Sequence, residues 1–243
     1  MKKRKGTGGA EGKAAGTILV LNNLAFEARA EKSEDAEYEI SRFETVRKEY
    51  KEELKQLYRE AEISAGEEPA NIFLAYIEMV NDDAFFGKII RRIQNEKLNL
   101  VYVLEEEKKA AAVIFQSMDD PYMRERGTDI ENVCDALIRK MEGLNSPMDE
   151  VSKTKEDIVI VAADLTPEDI IRMDTAHVKG FVTERGGNTS HTVILAKALG
   201  IPAVVGVKNI LEEAGSKTNI YMDGGEGTII LEPDQEVSDR SEE

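Results

Sequence analysis

Apolar positions follow two regimes along these 243 residues. Between about residues 33 and 144 they recur with a helical period among charged positions, and few glycines or prolines interrupt them. The stretch SEDAEYEISRFETVRKEYKEELKQLYREAEIS spaces Tyr38, Phe43, Val46, Tyr50, Leu54 and Leu57 three to five apart. That spacing predicts one long amphipathic helix, with Ser33 and Glu37 near its start. EEPANIFLAYIEMVNDDAFFGKIIRRIQNEK predicts two helices with a break near Asn81, Asp82 and Asp83. NLVYVLEEEKKAAAVIFQSM and TDIENVCDALIRKMEG predict two more. Short connections between antiparallel helices give a bundle or paired hairpins.

Residues 156–232 read differently. DIVIVAADL is an unbroken β-branched run, the pattern of a strand buried on both faces. TPEDIIRM follows as a short helix with Thr166 as N-cap, Pro167 in the first position, and Glu168 and Asp169 in the first turn. VKGFVT is a strand, NTSHTVILAKAL a helix capped by Gly200, and IPAVVGV a third buried strand. TNIYMDGGEGTIILEP reads as two strands joined by a glycine-rich turn. Strand and helix in alternation predict an α/β layer. The first 25 residues are rich in Gly and Ala and end in a β-like run, TILVL.

Composition narrows the function classes. At 41% hydrophobic and 33% charged residues, the chain has the material for a core and a heavily charged surface. A formal net charge of −16 opposes nucleic-acid or anionic-membrane binding and favours a basic protein partner. The single cysteine, Cys134, excludes an intrachain disulfide, suits a reducing compartment, and falls in a helical pattern as a small buried apolar residue. The basic run MKKRK is followed by glycines rather than the apolar core of a signal peptide, and no segment reaches transmembrane length. The expectation is a soluble cytoplasmic protein.

Chemistry concentrates in ERGGNTSHTVILAKALGIPAVVGV, which holds one of only two histidines. Gly186 and Gly187 allow a tight turn and a close approach. Thr189 and Ser190 suit an N-cap, so His191 falls in the first turn of a helix, where free N–H groups and the macrodipole attract anions. The same positive end disfavours imidazolium, leaving a neutral ring with a lone pair able to act as a nucleophile toward phosphorus. The stretch is not a P-loop. Ser190 and His191 are adjacent and leave the helix in different directions, which excludes a dyad, and His177 and His191 without a cysteine cluster make no zinc site. On placement alone, an exposed ring with no task is the commoner state of such a histidine.

GGNTSHTVILAKALGIPAVVG resembles the phosphohistidine motif of enzyme I of the bacterial phosphoenolpyruvate:sugar phosphotransferase system. Related motifs occur in pyruvate phosphate dikinase and phosphoenolpyruvate synthase. VAADLTPEDI resembles the stretch preceding that motif in enzyme I. DDPYMRERGTDIENV and EEPANIFLAYIEMVNDDAF resemble its helical insert, and KGTGGAEGKAAG a degraded copy of its N-terminal motif. The resemblance covers nearly the whole chain and corresponds to the amino-terminal half of enzyme I. It implies an α/β phosphohistidine domain, residues 1–27 and 147–233, with an inserted all-α helical domain, residues 28–146, that binds the carrier protein HPr. Residues 234–243 would be a polar end or the start of a linker.

The same resemblance implies roles. His191 would be phosphorylated through Nε2, and Thr166 would contact the active histidine through its hydroxyl. Gly186, Gly187, Thr189 and Ser190 would shape the site. Arg126 would lie near the carrier interface and contact the phosphoryl group, although an exposed helix charge is the alternative. Glu67 and Glu68, which also suit the first turn of a helix, would steer the basic carrier. Ile72, Tyr76 and Met79, pointing outward, would form the apolar contact. No metal or cofactor is expected: phosphoenolpyruvate and Mg²⁺ belong to the family's carboxy-terminal, dimer-forming barrel, which this sequence lacks. The activity implied is that of a phosphoenolpyruvate-protein phosphotransferase limited to exchange with HPr, in a chain expected to be monomeric.

Several positions depart from the family pattern. Thr7, Lys13 and Ala15 stand where apolar residues are usual, which suggests a loosely packed edge. Tyr76 replaces a common histidine, Asn188 a frequent arginine, and Lys197 a usual arginine. Lysine is a point charge without the bidentate fork of arginine. These departures give weight to the alternative of a non-catalytic HPr-docking regulatory module. A dikinase-like swivelling domain is disfavoured by the helical insert.

Overall fold

Five consecutive apolar residues, Ile158–Ala162, offer no polar face to solvent, and in the computed structural model every one of them is buried inside a sheet. The structure describes residues 1–21, 28–215 and 218–234. The domain boundary expected at residue 27 and nearly all of the polar segment 234–243 lie outside them. In chain order the strands β1 (Lys2–Lys5), β2 (Thr7–Ala10) and β3 (Lys13–Leu21) come first. Helices α1 (Ala36–Ala65), α2 (Glu67–Val80), α3 (Asp83–Glu96), α4 (Leu100–Gln116), α5 (Pro121–Met141) and α6 (Met148–Val151) follow. Next come β4 (Ile158–Ala162), α7 (Pro167–Ile171), β5 (Val178–Thr183), α8 (His191–Leu199) and β6 (Ala203–Val205). The described chain closes with α9 (Ile210–Glu213), β7 (Asn219–Asp223) and β8 (Thr228–Leu231).

The chain divides into two compact units. One comprises residues 1–24, 60–70 and 146–243; the other comprises 25–59 and 71–145. The end of α1 and the start of α2 therefore fall with the first unit, although they belong in sequence to the helical stretch.

In the first unit all eight described strands make one sheet, in the order β1-β8-β7-β3-β4-β5-β6-β2. The four central strands, β3 to β6, run parallel, and the outer pairings are antiparallel. Ile18, Val159, Val161, Val182, Val204, Ile220 and Ile229 pack into one core cluster. Burying each such side chain contributes roughly 1.5–3 kcal/mol. The two edge strands, KKRK and TGGA, carry no apolar alternation, so only the TILVL portion of the N-terminal region was legible as strand. A lysine-rich edge also resists pairing with another chain. Thr7 and Lys13 are exposed yet paired in register with Val205 and Asp223, so they leave no hole in the packing. The turn after β7 lies flat against β2, and a Cβ at Gly224 would collide with the Ala10 carbonyl.

In the second unit the α1 stripe is buried at Phe43, Val46, Tyr50, Leu54 and Leu57, whereas Tyr38, in the first turn, is 62% exposed. Asp82 caps α3 through its carboxylate, at the break expected from the sequence, and Asn99 caps α4. Arg47 stacks over Phe86 and donates to the Val80 carbonyl at 2.7 Å, closing the end of α2. Cys134 is fully buried, and burial pushes its thiol well above the usual range.

Helices α3 and α4 are clasped by Arg92, which bonds Glu96, Glu106 and Glu107 at 2.7–3.0 Å. Hydrogen bonding to this guanidinium holds the Glu96 and Glu106 carboxyls below the ordinary range. Carboxyls whose folded pKa is depressed stabilise the fold above their unfolded value and lose that contribution as pH falls through the folded one. Arg92→Ala is therefore expected to lower the thermal midpoint at neutral pH, with the gap to the wild type shrinking below about pH 4. Paired melts monitored by circular dichroism across pH 3–7 check this.

Candidate functional site

Parallel strands send the loops after their carboxyl ends to one edge of a sheet, the usual place for a ligand in α/β folds. The loops after β4, β5 and β6 meet there. Ladder bonding continues past the strand ends: the Glu184 N–H donates to the Ala162 carbonyl and the Arg185 N–H to the Ala163 carbonyl, at 3.1 and 3.0 Å. The Thr183 hydroxyl, almost fully buried, donates to the Arg185 carbonyl at 2.7 Å, and the Gly206 N–H donates to the same oxygen.

Beyond this anchor the chain turns at Gly186, whose φ of +93° is a conformation that strains any other residue. Space around the Gly187 Cα is open. The Ser190 N–H donates back to the Gly187 carbonyl at 3.1 Å, doubling the loop onto itself. Ser190 is the N-cap of α8: its backbone is extended and its hydroxyl accepts the Val193 N–H. His191 is the first helical residue and is half-buried. Thr189, the other cap candidate, is exposed. At the far end, Gly200 closes the helix in the left-handed conformation.

Thr166 is the N-cap of α7. Its hydroxyl donates to Asp169 at 2.8 Å and accepts the Asp169 N–H, while Asp169 accepts the Thr166 N–H. The capping assignment made from the sequence therefore describes this hydroxyl, which is committed to Asp169 in this state. Two residues that the sequence reading passed over join α7 to α8. Thr192 is buried and donates to the Leu165 carbonyl at 2.8 Å, so the residue after His191 is fastened to the residue before Thr166. Asp164 accepts the Leu165 N–H, and burial raises its carboxyl above the ordinary range, opposed by the nearby Arg185. Asn188 and Lys197, the two departures near the histidine, are bonded to each other at 2.7 Å. Thr192 carried no signal of its own, because a threonine in the first turn of a helix also reads as a capping residue.

The residues expected at a partner surface are distributed differently. Glu67 and Glu68 are exposed in the first turn of α2. Arg126 is held by the Tyr122 hydroxyl at 3.0 Å and lies 3.7 Å from Asp129, so it is a tethered charge rather than a loose one. The outward orientation expected of Ile72 and Tyr76 is corrected: they are 5% and 0% exposed. The Tyr76 hydroxyl explains the inward turn, because Asn132 donates to it at 3.0 Å and it lies 3.4 Å from Asp129 on α5. Met79 is half-buried. On α2 the exposed large apolar side chain is Leu74, and others include Val113 and Ile114 at the end of α4 and Tyr122 at the start of α5. Among the described residues no three His, Cys, Asp or Glu side chains form a metal site, and no helix is long and apolar enough to cross a membrane.

Comparison with known proteins identifies the family and the fold. The family description "PEP-utilising enzyme, N-terminal" matches residues 5–126, and "PEP-utilising enzyme, mobile domain" matches residues 154–227. Phosphoenolpyruvate-protein phosphotransferase of Listeria monocytogenes is 37% identical over 239 residues, covering 97% of this chain and 41% of the relative. The Bacillus subtilis protein of the same name is 32% identical, covering 100% and 42%. The chain thus spans less than half the length of these curated relatives. An NMR structure of enzyme I (nEIt) aligns over 98% of this chain and 96% of its own, with a TM-score of 0.74 at 30% identity. The N-terminal domain of nitrogen enzyme 1 aligns at a TM-score of 0.64 and 18% identity, a likeness of fold. The resemblance to the amino-terminal half of enzyme I, and the α/β fold with a helical domain that it implied, are borne out.

Two substitutions test the local account. Thr192→Val keeps the shape but strands a buried carbonyl, and is expected to cost about 1–3 kcal/mol in urea denaturation. Asp164→Asn can still accept the Leu165 N–H while removing a half-buried charge. A raised folded pKa means that stability is full below the unfolded carboxyl value and is lost as pH rises through the folded one. The asparagine variant should therefore melt above the wild type at pH 7, and this advantage should vanish near pH 3.

Proposed function

This chain belongs to the PEP-utilising enzyme family, and from that premise we propose that His191 accepts a phosphoryl group and exchanges it with the carrier protein HPr. The observation that carries the reading is the placement of His191 as the first residue of α8, behind a glycine loop, at the carboxyl edge of parallel strands. An anion there meets free N–H groups and the positive end of the helix dipole. In the transfer, the Nε2 lone pair of a neutral ring forms a bond to phosphorus as the N–P bond on the carrier's histidine breaks, the electron pair returning to the carrier's ring. The acceleration comes from positioning and charge stabilisation.

Thr166 fits this cycle as an alternating group, its hydroxyl moving from Asp169 to the ring of His191. For the carrier, the helical residues offer an acidic approach through Glu67 and Glu68. They also offer an exposed apolar corner at Val113, Ile114 and Tyr122, with Arg126 one turn on. We assign the contact to that corner rather than to Ile72 and Tyr76. Phosphoenolpyruvate and Mg²⁺ are assigned to a carboxy-terminal domain of the longer relatives, so the share of these residues is reversible exchange with HPr in the cytoplasm.

Incubation with phosphorylated HPr, read by intact mass at neutral to alkaline pH, is expected to add one acid-labile phosphate to the wild type and none to His191→Gln. Titration should show the variant still binding HPr. Binding without any gain of phosphate by the wild type would instead identify a docking module.

A further inference from the structure

We propose that Arg185 contacts the phosphoryl group carried by His191 and supplies the forked cation that the transferring group requires. The inference rests on the phosphohistidine reading above and adds a residue to it.

Arg185 is the last residue before the glycine loop, and its backbone is fixed on both sides. Its N–H is bonded to Ala163, and its carbonyl accepts from Thr183 and Gly206. Its side chain is exposed and makes no hydrogen bond or ion pair among the described residues. The chain then turns at Gly186 and again at the bond between Ser190 and Gly187, and both ends of the loop are tied to one short segment: Arg185 is bonded to Ala163, and Thr192, next to His191, to Leu165. The Cβ position of Gly187 is open, leaving room for a group bound between the two ends of the loop.

The other cation on this loop and helix, Lys197, is bonded to Asn188 at 2.7 Å. Arg185 is thus a cation with a rigid base and an uncommitted head. Its charge neighbour is Asp164, whose carboxyl lies close enough to attract it, and Asp164 is itself bonded to the loop that Thr192 fastens to the helix of His191. Before phosphorylation, Asp164 attracts the guanidinium. With the ring phosphorylated, a dianionic group with three acceptor oxygens is the stronger partner for a planar fork.

Single-turnover transfer from phosphorylated HPr, measured over a range of HPr concentrations, tests this on the wild type, Arg185→Gln and Arg185→Lys. Lys208→Gln, an exposed cation in the loop after β6, serves as control. The maximal rate of Arg185→Gln should fall about 10- to 100-fold, with less than about a twofold change in half-saturation. Arg185→Lys should recover part of the loss, and Lys208→Gln should stay near the wild type. Unchanged melting curves verify that each variant is folded. The assignment is overturned if Arg185→Gln transfers within about twofold of the wild type. It is overturned equally if the loss lies entirely in half-saturation, which would mark a docking residue, or if Lys208→Gln is the slow variant. A wild type that accepts no phosphate would overturn the phosphohistidine reading itself, and the arginine assignment with it.

Discussion

The hydroxyl of Thr192 holds the site together. A helix start can be aimed only if something outside the helix fixes its first turn, and here one buried bond to the Leu165 carbonyl does so. That bond fixes the first turn of α8 against the loop that carries Asp164 and Thr166. The loop's other side is set by Thr183, buried at the end of β5, whose hydroxyl holds the Arg185 carbonyl. Two threonines, each donating to a backbone oxygen, thus set both ends of the segment between β5 and α8. The glycines between them supply the turn, and the serine supplies the cap.

Charge is used differently in the two units. Among the helices it is structural. Glu105 and Glu107 are buried, and Lys88, Arg92, Lys108 and Lys109 form ion pairs with them. Such pairs fix which helix faces which, since removing one partner leaves a buried charge uncompensated. At the α/β loop edge the polar groups are bonded mostly to backbone, and the charged side chains Arg185 and Glu184 differ sharply. Glu184 accepts the Leu211 N–H at 3.0 Å, whereas Arg185 extends into solvent.

The sequence was most readable where one physical signal dominated. The run Ile158–Ala162 has no polar face, so burial on both sides followed directly. Thr166 with Pro167 and Asp169 carried a complete capping signature, and the structure forms it in full. The break at Asp82 and the cap at Ser190 were legible for the same reason. Tyr76 was misplaced because helical period alone cannot tell which side of α2 meets α5; the hydrogen bond from Asn132, 56 residues away, decides it. Strands β1 and β2 were unreadable because an edge strand needs no apolar alternation. The bond between Asn188 and Lys197 joins two residues that looked like separate departures, and nothing in their spacing announces it.

The sheet has a further consequence for the order of assembly. Strand β3 pairs with β4 on one side and β7 on the other, partners that lie beyond the entire helical stretch in sequence. Among the described strands β1 pairs with β8 alone, and the turn after β7 is pressed against β2 too tightly to admit a side chain at Gly224. The contacts between helices, such as Asn132 with Tyr76 and Arg42 with Met141, lie within the helical stretch and close without waiting for later strands. As the chain leaves the ribosome, β3 must therefore wait for β4, β2 for β6 and β1 for β8, each across the whole helical stretch. The lysines of β1 and the glycines of β2 suit that interval, since an apolar edge strand would spend it exposed.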